Sequence, residues 1–334
     1  MPSVHQASRA AERMRIVLLD DYQDAVRSLA AFGKLDGHTV HVYNDTAADE
    51  DALVERLHEA EAVVLVRQRT RLSAALLARL PKLKLVAQTG AAGSHIDIAA
   101  CTARGILVTQ TRGGSHSTAE LTWFLILAGL RGLAPDVERM RQGHWQTTFG
   151  RGLHGRTLGI WGYGKIGRLV AGYGRAFGMQ VQVFGREKSI AEASADGYAT
   201  VDRATLMASS DVVSLHVRLI PETRGLVTAE DLARMKPDAL WVNSSRAELV
   251  QPGALLHALR AGRPGYAAVD VYDHEPVLGA SDPLLGMANV LCTPHLGYVE
   301  RDNYEQYFGD AFDNILAYAA GAATRVVNTE LLQS

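Results

Sequence analysis

The sequence predicts an α/β protein built on two parallel sheets, and three observations carry that expectation. At 334 residues with 47% hydrophobic side chains, the chain exceeds the size at which a single core stops growing and can fill two. Short, continuous apolar runs alternate with helical patterns through the first third of the chain and again from Thr157, the rhythm of parallel strands covered on both faces. A glycine-rich turn formed by Gly162, Gly164 and Gly167 stands at the first strand of the second series.

In order along the chain, "MPSVHQASRAAERMRIVLLDD" has no apolar stretch before Arg15, which argues against a secretory signal. Residues 1–13 read as a flexible extension, with Met14 as an alternative start. The runs "RIVLLD", "HTVHVY", "AVVLV", "LKLVAQ" and "GILVT" predict strands, and "DALVERLHEA" and "SAALLARL" predict helices, so residues 14–112 form one small α/β domain. The stretch "STAELTWFLILAGLRGLAPDVERMRQGHW" has helical spacing, with Ser117 as its cap and Glu120 three residues later, and is expected to bridge the domains. Its most apolar part, Leu121 to Leu130, is too short to span a bilayer. The second strand series is "TLGIWG", "QVQVFG", "DVVSLHV", "ALWVNSS", "YAAVDVY" and "NVLCTPH". A final helix, "NYEQYFGDAFDNILAYAAG", places Tyr307, Phe308, Ala311, Phe312 and Ile315 on one face and is expected to return to the first domain. There is no repeat, low-complexity tract or Pro/Ser-rich linker.

A formal net charge of -2 gives no field that would attract nucleic acid or an anionic membrane, which leaves a small molecule as the expected partner. Cys101 and Cys292 are the only cysteines and lack metal-ligand spacing. Neither a disulfide framework nor a structural metal is expected, and a reducing cytoplasmic location fits best.

The glycine turn reads as a dinucleotide site. Gly162 permits the tight turn, Gly164 lets the backbone approach a pyrophosphate, and Gly167 lets helix and strand pack closely, with the helix N-terminus facing the anion. Tyr163, Lys165 and Ile166 complete the turn, and Ile166, Val170, Tyr173 and Phe177 are expected on the helix's core face. About 20 residues on, such turns lead to an acid that holds the ribose hydroxyls of NAD. Here Gly185 and Arg186 occupy that place and Glu187 follows. Three readings stay open at this point: a degraded site, an NAD site with Glu187 as a displaced acid, or a site in which Arg186 pairs with the 2'-phosphate of NADP.

Three polar residues stand just beyond successive strands of the second series: Arg246 after "ALWVNSS", Glu275 after "YAAVDVYDH" and His295 after "NVLCTP". Ligands of open parallel sheets bind outside those carboxyl ends. Singly, each residue has an ordinary explanation as a solvated or structural group. Together, a guanidinium that binds a carboxylate, an imidazole that moves a proton and a carboxylate that orients the imidazole suffice for reversible hydride transfer to a 2-keto acid.

At these residues the chain resembles the D-isomer-specific 2-hydroxyacid dehydrogenase family. The resemblance covers nearly all of residues 14–320 and is carried by "GRTLGIWGYGKIGRLVA", "MKPDALWVNSSRAELV", "VDVYDHEP" and "TPHLGY", with "SLHVRLIPETRGLV" and "SHIDIAAC" in support. It implies Arg246 as the substrate-binding arginine, His295 as acid/base, Glu275 as its partner, and the amides of Ala92 and Gly93 as donors to the substrate carboxylate. It places Thr118, His216, Val217, Thr223, Ser244, Ser245, Asp270 and Gly297 along the dinucleotide, Asp270 at the nicotinamide end. The implied architecture is a flavodoxin-like substrate domain from residues 14–112 plus 299–334 and an NAD(P)-binding Rossmann domain from residues 113–298. A homodimer is implied, with the bridging helix region and Trp145 as its surface.

Two departures bear on function. Members that use NAD usually carry an acid where Gly185 stands and commonly a proline where Arg218 stands, so Arg186 and Arg218 favour NADP(H), with NAD(H) as the alternative. "HLGY" replaces a more usual "HIAG"-like ending and brings Tyr298 toward the active site. The expected activity is reduction of a small 2-keto acid of the glyoxylate, hydroxypyruvate or pyruvate kind. The alternatives are D-3-phosphoglycerate dehydrogenase-like oxidation and a dinucleotide-sensing binding protein on the same scaffold. Glu275 in the pairing position argues against the related formate dehydrogenases, in which glutamine plays that part.

Overall fold

The structure, a computed structural model, describes residues 13–332; apart from Arg13, the extension expected over residues 1–13 lies outside the described residues. The chain divides into two compact units, one running to Gly113 and resuming at Glu300, the other spanning Gly114–Val299.

The first unit contains β1 (Arg15–Leu18), β2 (Thr39–Val42), α1 (Glu50–Leu57), β3 (Ala62–Leu65), α2 (Ala74–Ala78), β4 (Leu85–Gln88), α3 (Ile98–Ala103) and β5 (Leu107–Gln110). The strands pair in parallel in the order β2-β1-β3-β4-β5. Every residue of β3 and β4 is buried, as strands covered on both faces require. Asp49, Ser73 and Asp97 cap α1, α2 and α3 by accepting a backbone N–H from the first turn, so each helix starts where a short polar side chain precedes an apolar pattern.

The second unit opens with α4 (His116–Arg131) and α5 (Leu133–Arg141), followed by β6 (Thr157–Trp161), α6 (Lys165–Ala176), β7 (Gln180–Phe184), α7 (Glu187–Ala195), β8 (Ala199–Thr200), α8 (Arg203–Ser209), β9 (Val212–Leu215), α9 (Ala229–Arg234), β10 (Leu240–Asn243), α10 (Ala254–Arg260), β11 (Tyr266–Val269) and β12 (Val290–Cys292). The seven strands are parallel, in the order β12-β11-β10-β9-β6-β7-β8. Alternation divides the core in two: Leu158, Ile160, Leu240 and Val242 pack on one face, and Trp161 and Trp241 on the other. Strand order reverses between β6 and β9, which opens a crevice beyond their carboxyl ends. The last helix, α11 (Arg301–Ala319), belongs to the first unit, where Tyr307, Phe308, Ala311, Phe312 and Ile315 are all buried.

Three expectations need correction. Ser117 does not cap the bridging helix: α4 begins at His116, and the Ser117 and Thr118 hydroxyls donate to the Gly297 carbonyl at 3.0 and 2.8 Å. The bridging stretch is two helices, because Gly132 adopts φ +60 and ends α4. Phe177 lies past the end of α6, is half exposed, and packs on Trp123 with ring centroids 5.0 Å apart. The buried residues of α6 are Gly167, Val170, Ala171 and Gly174. A Cβ on Gly174 would stand 2.6 Å from Leu158 Cδ2, so the face that meets the sheet is small rather than bulky.

Candidate active site

The glycine turn lies at the reversal of strand order. Gly162 has φ +101, and a Cβ there would stand 2.5 Å from the His216 carbonyl oxygen; one on Gly167 would stand 2.1 Å from that of Gly162. A side chain at either position would force the turn apart. Around Gly164 the space is open: among the described residues no atom lies within 4 Å of where a Cβ would be, and no side chain caps α6. An open approach onto uncapped helix amides fits the pyrophosphate of a dinucleotide. Tyr163 is buried and donates its O–H to Asp196 Oδ2 at 2.7 Å, Lys165 is exposed, and Ile166 is half buried.

Two chain segments flank this turn. A Cβ on Gly185 would lie 3.8 Å from Gly162 Cα, and Val217 Cγ2 lies 3.3 Å from the Cβ position of Gly162. Arg186 and Arg218 follow directly; both are exposed, and neither pairs with a carboxylate among the described residues. Arg168 is already committed to Glu192 at 3.0 Å and Asp196 at 3.5 Å. Glu187 is exposed in the first turn of α7. The Thr223 hydroxyl accepts from the Ile220 N–H and donates to the Arg218 carbonyl, at 2.9 and 2.8 Å, which fixes the loop that carries Arg218. His216 Nε2 meets Ser214 Oγ at 2.9 Å, and burial pushes its imidazole down to about 3, so this ring is neutral at physiological pH.

Beyond β10, β11 and β12 the catalytic candidates gather within the second unit. His295 Nδ1 stands 2.5 Å from Glu275 Oε2, while Glu275 Oε1 accepts the Tyr272 N–H at 2.9 Å. Burial alone would raise the Glu275 carboxyl, but the hydrogen bond and charge of His295, the Tyr272 N–H and the Arg246 charge hold it below the usual carboxylate range. With Glu275 on Nδ1, that nitrogen carries the shared proton and Nε2 is the nitrogen left for chemistry. Arg246 is half buried, and its Nη1 donates to the Ser245 carbonyl at 2.6 Å.

His295 has φ +52, an uncommon conformation for a residue with a side chain. Fully buried Asp270 holds the following peptides: Oδ1 accepts from Thr293 Oγ1 and the Leu296 N–H, both at 2.7 Å, and Oδ2 from the Gly297 N–H at 2.8 Å. Burial outweighs these donors and the His295 charge, and pushes the Asp270 carboxyl upward.

Several residues implied as dinucleotide contacts have their hydroxyls spent inside the protein. Thr118 holds Gly297, Ser244 pairs with Thr122 at 2.6 Å, and Ser245 donates to the Leu215 carbonyl at 2.7 Å; they shape the crevice rather than leave donors free. In the first unit the Ala92 N–H, expected to face substrate, donates to Gln110 Oε1 at 3.1 Å, whereas the Gly93 N–H meets no acceptor among the described residues. Sequence reasoning missed Asn243. Its amide donates to the Arg246 carbonyl and accepts the Ser245 N–H, both at 3.0 Å, and so sets the turn from which Arg246 projects. The available signal was an amide at the end of an otherwise apolar strand.

The site defines an oxidoreductase of the nicotinamide-dependent, 2-hydroxy-acid kind. Residues 123–297 match the model of the D-isomer specific 2-hydroxyacid dehydrogenase, NAD binding domain. A glyoxylate reductase from Thermococcus litoralis is 33% identical over 89% of this chain and 92% of its own. A D-3-phosphoglycerate dehydrogenase from Mycobacterium tuberculosis is 35% identical over 85% of this chain, which spans only 54% of that protein. Among solved structures, a phosphoglycerate oxidoreductase from Vibrio cholerae aligns with TM-score 0.90 and 50% identity over 92% of this chain and 100% of its own. The chain belongs to the D-isomer specific 2-hydroxyacid dehydrogenase family.

Proposed function

We propose that the protein works chiefly as a reductase of small 2-keto acids such as glyoxylate, hydroxypyruvate or pyruvate, in the cytoplasm and with NADP(H) as the favoured cofactor. The observation that carries this reading is the 2.5 Å His295–Glu275 contact within the electrostatic reach of Arg246. A dinucleotide held at the Gly162–Gly167 turn and the start of α6 would supply the hydride to C2 of the keto acid in reduction and would accept it in oxidation. Arg246 binds the substrate carboxylate and polarises the keto oxygen. His295 donates its Nε2 proton to that oxygen as C2 is reduced, and takes it back from the hydroxyl in the reverse direction. Glu275 holds the imidazole in the tautomer and orientation this requires and stabilises its charged form. In this reading the unit that resumes at Glu300 is the substrate domain, and Gly114–Val299 is the cofactor domain.

NADP(H) is favoured because Arg186 and Arg218 flank the glycine turn without a carboxylate partner among the described residues, and because position 185 has no acid to repel a 2'-phosphate. A homodimer is supported by the exposure of Phe124, Leu133, Val137, Met140, Trp145 and Phe149 on and beside α4 and α5, an apolar surface of the kind that marks an interface. Phosphoglycerate oxidation is the second reading, favoured by the name of the Vibrio cholerae neighbour. The test is initial-rate reduction of glyoxylate and hydroxypyruvate with NADPH and NADH at matched concentrations. Turnover with the larger kcat/KM for NADPH is expected. Larger values with NADH would assign the ribose to Glu187 or the backbone, and would return the oxidative role to contention.

A further inference from the structure

Tyr298 has no part in the proton or hydride steps, yet its ring stands edge-on to the His295 imidazole, with centroids 5.3 Å apart and planes 75° apart. It is 6% exposed. Its backbone is fixed from both sides. The preceding Gly297 gives its N–H to Asp270 Oδ2 and takes the Ser117 and Thr118 hydroxyls on its carbonyl. The Val299 N–H closes a tight turn onto the Leu296 carbonyl at 2.8 Å. The backbone that carries the ring is thus tied into the same bonds that hold the loop of His295. Of the imidazole's edges, Nδ1 is taken by Glu275 and Nε2 is the nitrogen left for the substrate's keto oxygen, so a ring packed on this imidazole stands within a ring's breadth of where C2 must come.

We propose that Tyr298 is a specificity-determining residue: it narrows the site to keto acids whose substituent on C2 is hydrogen, methyl or hydroxymethyl, and excludes longer or branched chains. This deepens the keto-acid reading above and rests on it. A hydrophobic wall discriminates by roughly 10- to 200-fold per methylene; the ethyl group of 2-ketobutyrate is the size of the admitted hydroxymethyl, so wild-type kcat/KM should stay within about 10-fold of pyruvate for 2-ketobutyrate and fall by more than about 10-fold for branched 2-ketoisovalerate.

The experiment is steady-state reduction of glyoxylate, pyruvate, 2-ketobutyrate and 2-ketoisovalerate by the full-length wild type and by Tyr298→Phe, Tyr298→Leu and Tyr298→Ala, with kcat and KM separated. Tyr298→Ala should raise kcat/KM for 2-ketoisovalerate by about 10-fold or more, mainly through KM, while glyoxylate does not gain. Tyr298→Phe should keep the wild-type order, since it keeps the wall. Tyr298→Leu, which retains apolar volume but is shorter than the ring, should fall between them and supplies the answer if the alanine variant does not fold. An equal loss on all four acids in the leucine and alanine variants would make Tyr298 merely structural and overturn the proposal. So would a wild type that reduces 2-ketoisovalerate as well as pyruvate, with the keto-acid reading left standing. A wild type that binds the dinucleotide yet turns over none of the four acids would overturn both.

Discussion

Replacing Glu275 with glutamine probes the acid/base pair with the least change of shape. The wild-type carboxylate accepts twice, from His295 at Oε2 and from the Tyr272 N–H at Oε1. Glutamine has one acceptor and one donor end, so only one of those bonds survives. If its oxygen keeps the Tyr272 N–H, its amide faces Nδ1 as a donor and selects the neutral tautomer with the proton on Nε2, which opposes the doubly protonated acid. If the amide flips, its NH2 group confronts the Tyr272 N–H. Either arrangement removes a charge-assisted bond of about 1.5–3 kcal/mol, which corresponds to a loss of roughly 10- to 150-fold in kcat/KM. Both side chains are less than a third exposed, so solvent screening does not erase the effect. The assay is keto-acid reduction with kcat and KM resolved, alongside cofactor binding by nucleotide fluorescence. The loss should appear in kcat with cofactor affinity preserved. A variant within about threefold of wild type, or one whose loss comes entirely from weaker cofactor binding, would refute the assigned role.

The same carboxyl supplies a stability prediction. Its folded pKa lies below its unfolded one, so its contribution is present above the unfolded value of about 4.3 and is lost as pH falls through the folded value; the Tm gap between wild type and Glu275→Gln should be open near neutrality and close in acid. Asp270→Asn should destabilise the protein by about 1–3 kcal/mol and lower kcat, measured by denaturant melts and initial rates, because one of the two oxygens that hold the peptides after His295 becomes a donor. Arg186→Ala combined with Arg218→Ala should cut the NADPH-to-NADH ratio of kcat/KM by about 10-fold, the low end for a charged bond because both groups are exposed; an unchanged ratio would remove them from cofactor choice. Trp145→Asp with Met140→Asp should shift the sedimentation coefficient from dimer to monomer.

The strands were legible because burial on both faces leaves no room for polar residues: "AVVLV" and "LKLVAQ" could be little else, and β3 and β4 are fully buried. The glycine turn was legible for the same kind of reason, since backbone atoms at Gly162 and Gly167 leave no space for a Cβ. What escaped depended on partners far away in sequence. Hydrophobic periodicity put Phe177 on the core face of α6, but the sheet approaches too closely for bulk and selects Gly174 instead. The internal bonds of the Thr118 and Ser244 hydroxyls could not be read from the sequence because their partners, Gly297 and Thr122, lie 179 and 122 residues away. Asn243 was hidden by ending an apolar run, although its two bonds are what aim Arg246.

The conformation of His295 ties these observations together. A non-glycine residue at φ +52 carries strain of about 1–3 kcal/mol when the surroundings impose it. Here they do so at three points: the His295 N–H is held by the Thr293 carbonyl at 3.0 Å, the next two N–H groups by Asp270, and the imidazole by Glu275. The buried Asp270 carboxyl adds a cost of its own, since its environment favours the protonated form. The fold therefore spends stability twice within a few residues, on a strained backbone and on a buried charge, and what both secure is the position of one imidazole nitrogen. A histidine with a merely structural role would require neither. The concentration of cost around His295, rather than the presence of a histidine near a sheet edge, is the physical argument that supports the proposed proton transfer at this loop.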